Sequence, residues 1–167
     1  LRDPESLAIT TRVLAIPGKR SDKKLIGYLT RPEVEALLAA PDRSCWGGRR
    51  DHALLLTLYN SGARVSEVTT LQRAQVCFGP PTFLQLKGKG RKERTVPLWP
   101  QTSQVLQAWF DALGKRGDPI AFPSARGRSL SREGVDYLLQ KAVQKAAIAC
   151  PSLSMKSITP HVMRHTT

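Results

Sequence analysis

Apolar residues recur at helical spacing along most of the chain. Val34, Leu37 and Leu38 give a first helix one apolar face, and its start is marked by Thr30 followed by Glu33, the capping-box spacing. Pro32 fits a first turn, where its missing N–H is not needed, and Pro41 stops the helix. Asp51 to Asn60 predicts a second helix, apolar almost all round at Ala53, Leu54, Leu55, Leu56, Leu58 and Tyr59, as a central core helix would be, with Gly62 as its stop. Val65, Val68 and Leu71 continue at helical spacing and predict a short third helix opening beside Arg64.

The period then changes. Thr82 to Leu86 and Arg94 to Leu98 read as strands flanking a Gly88-Lys89-Gly90 turn, because Thr, Phe, Val and Leu dominate them and the glycines permit positive φ. Helical spacing returns at Val105, Leu106, Trp109, Phe110 and Leu113, ended by Gly114, and again after Ser131 at Val135, Leu138, Leu139, Ala142, Val143 and Ala146. A last helix is signalled at Thr159 and Pro160. The expected fold class is mainly α with a small antiparallel β-sheet, and no internal repeat is visible. Leu1 to Gly27 is mixed and basic and reads as an extended linker or arm; residues 28–167 are expected to form one domain.

Composition narrows the partner. The 26 Lys and Arg against 13 Asp and Glu leave a net charge of +13, which gives the surface a strong positive potential and points to a polyanion without separating DNA from RNA. Cys45, Cys77 and Cys150 are odd in number and far apart, so they indicate neither a disulfide framework nor a zinc site, and a reducing compartment fits. No apolar run approaches the roughly 18 residues of a membrane span, and no signal peptide is visible.

Three clusters carry candidate chemistry. In Gly62-Ala63-Arg64-Val65-Ser66-Glu67, an arginine follows a helix-ending glycine, and Glu67 is spaced to reach back and orient it; an ordinary surface ion pair has the same spacing. The run Lys87-Gly88-Lys89-Gly90-Arg91-Lys92-Glu93-Arg94 puts five cations on a glycine-rich hairpin tip, suited to entering a groove against phosphate, although a solvated basic turn would look alike. In Thr159-Pro160-His161-Val162-Met163-Arg164-His165, the residues His161, Arg164 and His165 fall at i, i+3 and i+4 on one helical face. Cations at a helix start are unfavourable unless an anion occupies the site, so a phosphate would resolve the conflict. A metal site on the two histidines, or a structural histidine, are the other readings; no acidic third ligand lies nearby.

Taken together the clusters resemble the tyrosine recombinase or phage integrase family, whose catalytic domains show an arginine in a Gly-Leu-Arg-x-Ser-Glu context, a hairpin lysine and a His-x-Leu-Arg-His segment. Here the text is Gly-Ala-Arg-Val-Ser-Glu at 62–67, the basic hairpin, and Pro-His-Val-Met-Arg-His at 160–165, in that order, with Ala63 and Met163 as mild departures. The resemblance implies the catalytic-domain fold of DNA breaking-rejoining enzymes. It also implies that Arg64 and Arg164 bind the scissile phosphate, that Lys89 and His161 move protons, and that Glu67 and His165 support them. Lys87, Arg91, Lys92 and Arg94 would be further DNA contacts. No metal or other cofactor is implied. The partners would be double-stranded DNA and other recombinase protomers, with no membrane, in the cytoplasm of a prokaryote and at the nucleoid through DNA.

By the same resemblance, Leu1 to Gly27 would link to an N-terminal core-binding domain absent from this sequence. The nucleophilic tyrosine would lie downstream of Thr167, since Tyr28, Tyr59 and Tyr137 all precede the His161 segment. The expectation is a catalytic domain that is C-terminally truncated and binds DNA without cleaving it. A type IB topoisomerase would share the chemistry, and a noncatalytic nucleic-acid-binding module would need only the basic hairpin.

Overall fold

The computed structural model describes residues 9–12, 15, 27–88, 93–114 and 119–167. Helices α1 (Arg31–Ala39), α2 (Trp46–Ser61) and α3 (Val65–Thr69) lead into a three-stranded antiparallel sheet of β1 (Val76–Cys77), β2 (Phe83–Lys87) and β3 (Glu93–Pro97) in that order. Helices α4 (Pro100–Leu113), α5 (Arg132–Ala149) and α6 (Pro160–Thr166) complete the chain. No helix among the described residues is long and apolar enough to cross a membrane.

Helix α2 is the hub. It packs against α1, α3, α4 and α6, and Ala53, Leu54, Leu55, Leu56 and Leu58 are all buried. The polar groups it takes inside are satisfied: Thr57 Oγ1 donates to the Ala53 carbonyl at 2.7 Å and Ser61 Oγ to that of Thr57 at 2.6 Å. Gly62 closes the helix at φ 54°, in the left-handed region glycine adopts without penalty, as its position in the sequence predicts. Trp109 of α4 is buried with its ring tilted against that of Trp46, centroids 5.3 Å apart, and its indole N–H finds the Ala121 carbonyl at 2.8 Å.

Three differences from the sequence reading have physical causes. Helix α2 starts at Trp46 rather than Asp51, because Cys45 caps it through a Sγ contact to the Gly48 N–H at 3.3 Å while Gly47 and Gly48, poor helix formers, mask the start. Gly48 is required there, since a Cβ on it would lie 1.9 Å from the Asp42 carbonyl oxygen. Helix α4 likewise begins at Pro100, five positions before Val105, because its first turn is built from Pro100 and polar residues that carry no apolar period. Strand β1 is two residues long, too short to show alternation, and pairs Val76 with Leu84.

The hairpin strands are displaced by one position from the predicted spans, Thr82 to Leu86 and Arg94 to Leu98; Phe83 pairs with Pro97 and Lys87 with Glu93. That register buries Leu84 and Leu86 and turns Gln85 and Lys87 to solvent. The hairpin tip, Lys89 to Lys92, lies outside the described residues. Within the predicted extended arm, residues 9–12 instead form an exposed helical turn, followed by a bond from the Ala15 N–H to the Thr11 carbonyl at 3.0 Å.

Candidate active site

The segment that carries the histidines is held from three sides. Thr159 caps α6, its Oγ1 accepting the Val162 N–H at 3.3 Å. Gln140 of α5 donates to the Ile158 carbonyl at 2.6 Å, and Thr167 Oγ1 donates to the Tyr59 carbonyl of α2 at 2.9 Å. Val162 and Met163 point into the core, which leaves His161 and Arg164 on the other side. The loop before α6 is anchored further by Glu33 of α1, whose carboxylate accepts from Ser152 Oγ and Lys156 Nζ, both at 2.6 Å, and from the Thr30 N–H at 2.7 Å. Burial works against the ionised form of Glu33, but these hydrogen bonds outweigh it and pull its pKa from the ordinary 4.5 down to about 2.

Helix α3 presents the other arginine. Arg64 is the residue before its first turn, and Glu67, 3% exposed, accepts the Arg64 backbone N–H at 2.8 Å and the Arg64 Nη1 at 3.2 Å. The spacing read from the sequence thus closes a one-sided cap in which Glu67 accepts both bonds, and the pair is not a solvated surface bridge, because one partner is buried.

Arg64, His161 and Arg164 line one cleft of about 750 Å³, opened between α3, α5 and the start of α6. Arg164 is left with an unmet demand of its own: its Nη1 is buried and has no hydrogen-bond partner. His161 and His165 face each other, Nε2 to Nε2 at 3.0 Å with the rings near perpendicular, so one ring donates and the other accepts. Among the described residues no group of three His, Cys, Asp or Glu is placed to hold a metal ion.

Sequence reasoning missed one wall of the cleft. Arg132, Glu133, Asp136, Tyr137 and Gln140 of α5 line it, residues whose i, i+4, i+8 spacing gives a polar stripe opposite the buried apolar face. The stripe was visible; its neighbour was not. Of the hairpin residues, Lys87 is exposed and pairs with Glu93 at 3.5 Å. Arg94 is turned inward, its Nη2 donating to Glu67 Oε2 at 2.9 Å. Lys89, Arg91 and Lys92 lie outside the described residues.

The domain is mainly helical with a three-stranded sheet, and its cleft is lined by Arg64, Arg132, Arg164 and His161 together with Glu133 and Asp136. The sequence matches the phage integrase family over residues 27–167. It is 51% identical over 163 residues to y4rC of Sinorhizobium fredii, named as an integrase/recombinase, covering 98% of this chain and 49% of that protein. It is 36% identical over 155 residues to the tyrosine recombinase XerC of Chlamydia caviae, covering 90% and 47%. The crystal structure of the XerH site-specific recombinase bound to palindromic difH substrate superposes with a TM-score of 0.73 at 20% identity, covering 89% of this chain and 43% of that one, a likeness of fold. The chain belongs to the phage integrase family, and its fold is that of tyrosine recombinase catalytic domains. It spans about half the length of the curated relatives it matches.

Proposed function

We propose that residues 28–167 are the catalytic domain of a site-specific recombinase that cleaves and rejoins double-stranded DNA through a 3′-phosphotyrosine. The observation that carries this reading is the cleft itself, where Arg64 and His161 meet an arginine whose buried Nη1 lacks a partner. An anion with several acceptor oxygens satisfies that nitrogen and draws both guanidiniums together; a phosphodiester is such an anion. The relatives named as recombinases, and the XerH recombinase bound to its difH substrate, support a DNA phosphodiester.

In-line attack builds negative charge on the two nonbridging oxygens, and preorganised guanidiniums stabilise that charge more than they stabilise the ground state. A tyrosine oxygen bonds to phosphorus, its proton passes to His161, and the P–O5′ bond breaks with Lys89 protonating the departing oxygen. The phosphotyrosine keeps the bond energy, so attack by another 5′ hydroxyl rejoins DNA with no nucleotide cofactor. His165, bonded to His161, sets which ring nitrogen of His161 is free. Lys87, Arg91 and Lys92 contact neighbouring phosphates.

Residues 1–27 are proposed as the link to a core-binding domain, and the nucleophile as a residue outside these 167. Tyr28 and Tyr59 do not line the cleft. Tyr137 does, and it is 66% exposed, so a second reading makes Tyr137 the nucleophile. A nicked suicide duplex separates the two. The expected result is salt-sensitive binding by the 167-residue chain without a covalent adduct; an adduct abolished by Tyr137→Phe would replace this assignment with the second. No binding at low salt would overturn both.

A further inference from the structure

From the sequence, Arg94 is one more phosphate ligand on a basic hairpin, but its geometry is of another kind. On β3, its Nη2 donates to Glu67 Oε2 at 2.9 Å, its Nε is buried without a partner, and its side chain is 38% exposed. The same carboxylate, 3% exposed, takes the Arg64 Nη1 on Oε1 at 3.2 Å and the Arg64 backbone N–H on Oε2 at 2.8 Å. One buried carboxylate is shared between a hairpin arginine and the cleft arginine. We infer that Arg94 is a positioning residue for the phosphate site, acting on an anion at Arg64 through Glu67 rather than touching the anion; this rests on the reading of Arg64 as a phosphate ligand.

Two physical effects follow from the shared carboxylate. Arg64, Arg94 and Glu67 together carry one net positive charge, so the approaching anion meets a cationic group; without Arg94 the remaining Arg64–Glu67 pair is neutral. The bond at Oε2 also fixes the plane of the carboxylate, which leaves Arg64 a single side-chain bond to it. Freed of Arg94, Oε2 keeps only the Arg64 backbone N–H, and the carboxylate, no longer shared with a second guanidinium, holds the Arg64 side chain more strongly and so competes with phosphate for it. Because β3 pairs with β2 from Phe83↔Pro97 to Lys87↔Glu93, this contact also ties the foot of the hairpin to α3.

The test is a double-mutant cycle on the 167-residue chain, with inorganic phosphate as the probe and the arginine side-chain N–H signals followed by NMR at low ionic strength. Arg94→Gln is expected to weaken phosphate binding about tenfold when Arg64 is present and less than about twofold when Arg64 is already Ala, the non-additivity of residues acting through one group. In Arg94→Gln the Arg64 Nε–H signal is expected to shift before any phosphate is added. An equal loss in both backgrounds would make Arg94 a direct ligand and overturn the inference, as would no loss in either. If Arg64→Ala alone leaves phosphate binding intact, the phosphate-site reading fails instead, a result distinguishable from the other two. Thermal melting verifies that each variant is folded, and Arg94→Met, which keeps the aliphatic stem, makes the same comparison should Gln unfold the chain.

Discussion

Replacing Glu33 by Gln tests whether a remote carboxylate holds the segment ahead of His161 and Arg164 in place. Glu33 is buried on α1, and its three donors reach it from the start of its own helix and from residues 152 and 156, just ahead of α6. Its pKa falls from 4.5 to about 2 on folding. A carboxylate with a depressed folded-state pKa contributes stability that is fully present above its unfolded pKa and is lost as pH falls towards the folded value. The full shift corresponds to about 3 kcal/mol, and the 35% exposure of Lys156 screens its share, so on the order of 2 kcal/mol is expected at pH 7. Gln keeps the shape but does not titrate. The stability difference between the natural chain and Glu33→Gln, from urea unfolding, should therefore be largest at pH 6–7 and have lost about half or more of its value by pH 3. A difference that stays constant from pH 7 to pH 3 would refute the argument, because Glu33 would then be stabilising through shape alone.

The other predictions concern single sites. Glu67→Ala removes a helix cap and two charge-assisted bonds, an expected loss of about 3 kcal/mol and a fall of roughly 6–12 °C in Tm by calorimetry. Gly48→Ala should cost about 2 kcal/mol or more by urea unfolding, because its Cβ meets the Asp42 carbonyl, whereas Gly47→Ala, which meets nothing within 4 Å, should stabilise the helix by about 0.5–1 kcal/mol. His52 is buried, with Nδ1 against the Leu38 carbonyl at 2.8 Å, and burial holds its pKa below 6.5; stability should be complete above that pH and decline below it, a step missing in His52→Gln. DNA binding measured by fluorescence anisotropy should weaken steeply between about 50 and 200 mM salt, and Arg164→Ala should flatten that slope by about one phosphate contact.

The order of the elements, the apolar stripe of each main helix, the stop at Gly62 and the two arginine-centred motifs can all be read along the chain. These are local: a 3.6-residue period, a capping spacing or a left-handed glycine needs only neighbours along the chain to be read. The starts of α2 and α4 are not legible in this way, since a cysteine cap and polar first turns carry no period. Three features emerge only from the packed chain: the polar stripe of α5 walls the cleft, Arg94 turns inward to Glu67, and Glu33 anchors residues more than a hundred positions away. The physical reason is that each depends on segments distant in sequence coming together. For Arg94 and Glu33 a buried carboxylate takes its charge partners from whatever the fold brings within hydrogen-bond reach, and for α5 an exposed polar face meets whichever helix packs beside it, a proximity that no spacing along the chain encodes.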